Sequence, residues 1–201
     1  DIRDMTGIQD LDQLAVLARL LAECSGDQLV YSTLARQVRV SENTVRSWIA
    51  TLSAFHYGFV VRPWFRNVAK ALRKEPKWFL ADWSGIADPG KRAETFCACQ
   101  LLKAVEGWTD LGLGSFELRH IRDLQKREVD FVIIRDGEPW FLVEAKHGAA
   151  SLSPQLEFFQ RQTGARHAFQ VSIKAGFVEA DCFTRTDPTM VPARTFFSQL
   201  F

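Results

Sequence analysis

The stretch REVDFVIIRDGEPWFLVEAKHG, residues 127–148, limits the fold more than any other. Two runs rich in β-branched and aromatic residues flank Asp136-Gly137, and Asp-Gly between such runs signals a hairpin. Both runs carry charge near one end. Asp130 lies in the first; Glu144 and Lys146 lie two positions apart in the second. Strands this apolar need a reason to hold two carboxylates and an amine.

Side chains alternate along a strand, so Trp140, Leu142, Glu144 and Lys146 share a face, and Glu128, Asp130, Val132 and Ile134 share another. The turn decides whether the two sets coincide. An odd-numbered loop, 136–138 or 135–139, pairs Asp130 with Glu144 and Glu128 with Lys146. A two-residue Asp136-Gly137 loop pairs Asp130 with Val143 and sends Glu144 to the opposite face. Pro139 has no N–H to give a ladder, which favours the odd loop. Two carboxylates side by side repel unless a hard cation sits between them. Mg²⁺ takes one or two carboxylates and fills its remaining positions with water and phosphate. A nearby lysine can orient a water or steady charge on phosphate. The pattern suits phosphodiester hydrolysis. The bland alternative is strand-end charge, with Lys146 neutralising Glu144 or Glu128.

Along the chain, LDQLAVLARLLAECS (11–25) has apolar residues at helical spacing and Gly26 as a stop. Ser32 is expected to cap a helix through Leu34, Ala35 and Val38. Ser41 is expected to cap a second, with Val45, Ile49, Leu52 and Phe55 on one face. That pair reads as helix-turn-helix. YGFVVRPW (57–64) and KWFLAD (77–82) read as strands of a wing. Residues 87–108 read as an apolar helix, 115–123 as a strand, 151–164 as a helix started by Pro154, and 167–173 as a strand. Residues 174–201 show no clear period. The expected fold class is mixed α/β. A helical lead-in and winged helix-turn-helix occupies 1–85, and a separate α/β domain occupies 86–201.

Hydrophobic residues are 47% and aromatics 12% of the 201, which suits a packed core and excludes disorder. No run reaches the roughly 18 apolar residues of a membrane span, so no membrane partner is expected. Cys24, Cys97, Cys99 and Cys182 form no CxxC pair or zinc spacing and are expected as free thiols in a reducing cytoplasm. The histidines form no ligand spacing. The opening DIRDMTG is neither a signal peptide nor an initiator Met, so a piece of a longer polypeptide is expected. No G-x-x-x-x-G-K-[ST] loop occurs, so ATP is not expected to bind through a P-loop in this chain.

Net charge is +1, but residues 28–77 hold nine Lys/Arg against two acids. A basic segment in a near-neutral chain points to a polyanion surface. Asn43 and Arg46, near the start of the second helix of the pair, suit base or phosphate contacts, although Glu42 opposes them. Arg62, Arg66, Lys70, Arg73, Lys74 and Lys77 on the wing suit phosphate contacts without sequence reading. Arg119, Arg122, Lys126 and Arg127 either touch phosphate or balance the neighbouring acids. Gln155 and Gln160 read mainly as a solvated helix face.

EVDF…FLVEAK resembles the signature of the PD-(D/E)xK, or restriction-endonuclease-like, superfamily over roughly residues 86–173. The resemblance implies Asp130 and Glu144 as metal ligands, Lys146 as the catalytic lysine and Glu94 on the preceding helix as an auxiliary acid. DIRDMTGIQDLDQLAVLARLLAECSG, LARQVRVSENTVRSWIATL, RPW, KEPKWFLADWSG and EVDFVI…VEAK together resemble, in that order, a family of prokaryotic AAA+-type ATPases with a C-terminal domain of unknown function. This resemblance implies a C-terminal half whose P-loop ATPase is absent from the chain.

Three functions remain open. One is a DNA-associated, cytoplasmic module with an Mg²⁺- or Mn²⁺-dependent phosphodiesterase site. The second is a catalytically inactive nuclease-like platform that docks on the ATPase or on DNA. The third is an oligomerisation half for the ATPase, which implies a homo-oligomer.

Overall fold

The structure, a computed structural model, describes residues 10–64, 75–148 and 151–201. Three helices come first: α1 (Leu11–Glu23), α2 (Tyr31–Val38) and α3 (Glu42–Ala54). Leu14, Leu17 and Leu21 recur at helical spacing and form the buried face of α1. The hydroxyl of Ser41 accepts the Thr44 N–H at 3.0 Å and caps α3 as expected. Ser32 does not cap α2. The cap position falls two residues earlier, at Val30, so the helix starts at Tyr31, and Arg39 closes it at φ 62°. The core of these helices includes Leu17, Leu29, Val45, Ile49 and Leu52, and Trp78 completes it from the following hairpin.

That hairpin is β1 (Gly58–Pro63) and β2 (Lys77–Leu80). It is followed by α4 (Pro89–Asp110), β3 (Phe116–Arg122), β4 (Glu128–Arg135), β5 (Glu138–Lys146), α5 (Pro154–Thr163) and β6 (His167–Ser172). The stretch that showed no period adds a short 3₁₀ turn (Cys182–Thr184), β7 (Thr189–Pro192) and α6 (Ala193–Phe197). All seven strands join one mixed sheet in the order β2-β1-β3-β4-β5-β6-β7. The first hairpin is therefore an edge of the large sheet: β1 runs parallel to β3, with Arg62 opposite Arg119 and Pro63 opposite His120.

Apolar residues cover both faces. On one, α4 sets Cys97, Ala98, Leu101 and Val105 against Phe131, Ile133, Phe141, Val143 and Phe169. On the other, Leu156 and Phe159 of α5 cover Val129, Val132, Leu142 and Ala168. In β2, Trp78 enters the three-helix core while Phe79 enters the α4 core. Alternation along a strand thus joins the two units through adjacent residues.

Two β-bulges shape the 127–148 hairpin. The turn is the two-residue Asp136-Gly137 form, with φ 52° and 86° and Arg135 opposite Glu138, not the expected odd loop. Trp140 then enters β5 as an extra residue between the pairs Ile134–Pro139 and Ile133–Phe141. This restores the register an odd loop would have given. Phe131 faces Val143, and the ladder continues toward Asp130 and Glu144. In β4, Asp130 and Phe131 together oppose the single residue His120, between Arg119–Val132 and Ile121–Val129. Val129 consequently joins the same core as Val132 and Ile134, so strict alternation does not hold through Asp130.

The first hairpin packs tightly at Gly58, where an added Cβ would lie 2.4 Å from both the Phe79 carbonyl oxygen and the Trp78 ring. Gly58→Ala is expected to cost about 1–3 kcal/mol, the range for overpacking a filled core. Urea unfolding checks this, and an unchanged midpoint contradicts the packing.

Candidate functional site

The charged ends of β2, β4 and β5 and the first turns of α4 meet at one end of the sheet. Asp88 caps α4 by accepting the Lys91 N–H at 2.7 Å. Pro89 fits its first turn. Glu94 follows on the same helix and reaches Lys77 of β2, whose ammonium donates to its carboxylate at 2.8 Å. That ammonium also lies 3.7 Å from Asp130 and 3.9 Å from Glu128. Lys77 is only 3% exposed. It was expected on a DNA-facing wing, but it is buried inside the acidic site.

The joint around Lys77 is fixed by neighbouring contacts. Ser25 and Thr95 share a hydroxyl bond of 2.9 Å, and the Leu80 N–H donates to the Ser25 oxygen at 3.1 Å. Lys91 donates to Asp27 at 2.6 Å. A Cβ at Gly26 would fall 3.3 Å from the Glu94 carboxylate, so the α1–α2 connection lies directly on the acid.

On the central strands, one oxygen of Asp130 accepts the Ala145 N–H at 2.9 Å, which fixes this carboxylate at the seam of β4 and β5. Lys146 donates to Oε1 of Glu144 at 2.7 Å. Oε2 of Glu144 is buried and has no hydrogen-bond partner. Glu128 pairs with Arg122 at 2.9 Å rather than with Lys146. Arg127 pairs with Asp123 at 2.6 Å and Arg119 with Glu117, so these basic residues balance local acids. Gln160 donates to the carbonyls of Ala165 and Thr186, which gives it a structural task.

The charges do not cancel. Burial, then the negative charge of Asp130, raises the Glu94 carboxyl from its usual 4.5 to about 8 despite the Lys77 ammonium. The same two causes, in the same order, raise Glu144 from 4.5 to about 7 against the pull of Lys146. Lys77 is itself raised: its three carboxylates outweigh the burial that disfavours its charge. His120, fully buried at the bulge, is pushed down to about 3 by burial and then by the charge of Lys77.

The exposed positions divide differently. Asn43 and Arg46 lie on the exposed side of α3, and the Arg46 guanidinium sits 3.7 Å from the Tyr31 ring centre. Arg62 is exposed on β1. Arg66, Lys70, Arg73 and Lys74 lie outside the described residues. Trp64 is buried under the sheet with Ile121 and Val132. Among the described residues, no three His, Cys, Asp or Glu side chains are grouped to hold a metal ion, and no helix is long and apolar enough to cross a membrane. The donors that do gather are carboxylate oxygens, one of them orphaned. That chemistry suits a hard cation with few protein ligands rather than zinc.

The strand pattern indicated Asp130, Glu144 and Lys146, the resemblance implied Glu94, and the structure brings them to the same end of the sheet. The sequence did not indicate Lys77 as their partner. The only local trace is a lysine at the head of the fully buried strand KWFL.

Residues 1–87 match a protein-family model described as a domain of unknown function (DUF8612). The match ends between β2 and α4, so it contains Lys77 but none of Glu94, Asp130, Glu144 and Lys146. No curated protein and no solved structure matches the chain.

The raised carboxyls give a pH dependence. A folded pKa above the unfolded value adds stability below 4.5, and that stability is lost as pH rises through about 7 for Glu144 and about 8 for Glu94. Without divalent ions, unfolding free energy is expected to fall across that window. Glu94→Gln and Glu144→Gln are each expected to flatten the slope. Urea midpoints at fixed ionic strength check this; equal slopes in all three proteins contradict it.

Proposed function

We propose that the chain is a DNA-associated module with an Mg²⁺- or Mn²⁺-dependent phosphodiesterase site. In this reading the three helices and the first hairpin form a winged helix-turn-helix. The α4–β3–β4–β5–α5–β6 succession forms a restriction-endonuclease-like unit. The whole belongs to the C-terminal half of a prokaryotic P-loop ATPase.

The observation that carries the reading is Glu144. It is buried, held by Lys146 on one oxygen, left without a partner on the other, and exposed to the charge of Asp130. A buried carboxylate oxygen without a partner is costly unless something binds it. Asp130 and Glu144 would hold the ion, which when bound lowers the pKa of a water and polarises a phosphoryl oxygen. Lys146, with 38% of its side chain exposed, both orients Glu144 and remains open to phosphate. Glu94 is the auxiliary acid on α4, bonded to Lys77 beside Asp130, and Arg46 and Arg62 supply exposed positive charge for a phosphate backbone.

A second reading has its own observation. The Lys77 ammonium already provides a cation to Glu94, Glu128 and Asp130, as expected of an inactive platform that docks on the ATPase or on DNA.

Calorimetry with Mn²⁺ is expected to detect binding to the wild type and none to folded Asp130→Ala or Glu144→Ala. Divalent-dependent cleavage of single- or double-stranded DNA is expected to disappear in the same variants and in Lys146→Ala. DNA binding without Mn²⁺ binding or cleavage supports the platform. Separately, Arg46→Ala and Arg62→Ala are each expected to weaken DNA binding evenly across sequences and to lower the salt slope by about 1. An unchanged salt titration contradicts that interface.

A further inference from the structure

Lys77 comes from outside the α/β unit. It heads β2, the edge strand beyond β1, while the acids around it stand on α4 and β4. Its ammonium is closest to Glu94, and it also lies within 4 Å of Glu128 and Asp130. A buried ammonium at these distances neutralises part of the same charge that would draw in a divalent ion. The backbone on either side of it is held too: the Leu29 N–H donates to the Pro76 carbonyl at 2.7 Å, and the Trp78 N–H to the Asp27 carbonyl at 3.1 Å. These bonds fix the backbone from which the ammonium reaches the acids, at the contact between the helical unit and the sheet.

We infer that Lys77 is an internal counter-cation of the candidate metal site: it stands in for part of the divalent charge and sets the concentration at which the ion enters. The inference rests on the metal-site reading and adds its regulation. The packing of the first hairpin against α4 governs cation affinity, because it determines how close the ammonium stays to Asp130. Lys77 acts here as a positioning residue and makes no contact with substrate.

Two pairs of proteins test this by Mn²⁺ calorimetry and by thermal melts with and without Mn²⁺. The first is wild type against Lys77→Met, which keeps most of the length of the side chain without its charge. Removing a unit charge at these distances is expected to tighten Mn²⁺ binding by about ten-fold and to increase the stabilisation that Mn²⁺ gives. A merely structural lysine would give the opposite, a looser site. Lys77→Met leaves Glu94 buried and unpaired, and it can fail to fold for that reason. The second pair, Glu94→Gln against Lys77→Met/Glu94→Gln, avoids the orphaned charge, and the double variant is expected to bind Mn²⁺ more tightly than Glu94→Gln alone. Equal or weaker binding on loss of Lys77 in the folded pair overturns the counter-cation while leaving the metal site standing. Absence of Mn²⁺ binding in all folded proteins overturns both.

Discussion

The buried ammonium of Lys77 among Glu94, Glu128 and Asp130 is the interaction on which the rest of the structure depends. It ties β2, α4 and β4 together at one point. Around it, Ser25, Gly26 and Asp27 press the helical unit onto the first turns of α4. Trp78 and Phe79, the next two residues of β2, place their side chains in separate cores. One short strand therefore carries both the apolar join and the electrostatic join. Breaking a buried ion pair by removing one partner typically costs about 3–5 kcal/mol, because the other charge is left unpaired. The two units are coupled through charge as well as through packing.

The second constraint is register. A two-residue turn by itself would have sent Glu144 to the face away from Asp130. The extra residue Trp140 undoes that, and the bulge at Asp130 and Phe131 turns the Asp130 carboxylate to the seam, where it receives the Ala145 N–H. Bulges beside a functional site commonly re-aim a side chain in this way. The cost of gathering four acids shows in the raised Glu94 and Glu144 carboxyls and in the partnerless oxygen of Glu144.

Much of this was legible in the sequence, for identifiable reasons. Periodicity together with cap and stop signals located the five helices α1 to α5 and the strands from β1 to β6, and the Ser41 cap followed from its place before an apolar helix. Asp130, Glu144 and Lys146 stood out because charge is rare in strands this apolar, whereas Glu94, on a helix, was indicated only by the resemblance. The register came out as expected for the wrong reason: Pro139 suggested an odd loop, whereas Trp140 supplies the odd residue. Lys77 was misplaced because a lysine in a basic segment looks solvated until its distant partners are seen. The single continuous sheet was hidden because parallel pairing of β1 with β3 leaves no local signal. β7 was missed because TMVP is four residues long and ends in Pro192.

The central claim is that this carboxylate cluster takes a divalent ion at Asp130 and Glu144. Anomalous diffraction from crystals grown with Mn²⁺ tests it most directly. The account expects one peak about 2.2 Å from oxygens of both residues, a distance typical of hard divalent ions, with the Lys77 ammonium displaced from Asp130. A well-ordered cluster with no peak, and Lys77 still between Glu94 and Asp130 at millimolar Mn²⁺, would contradict it.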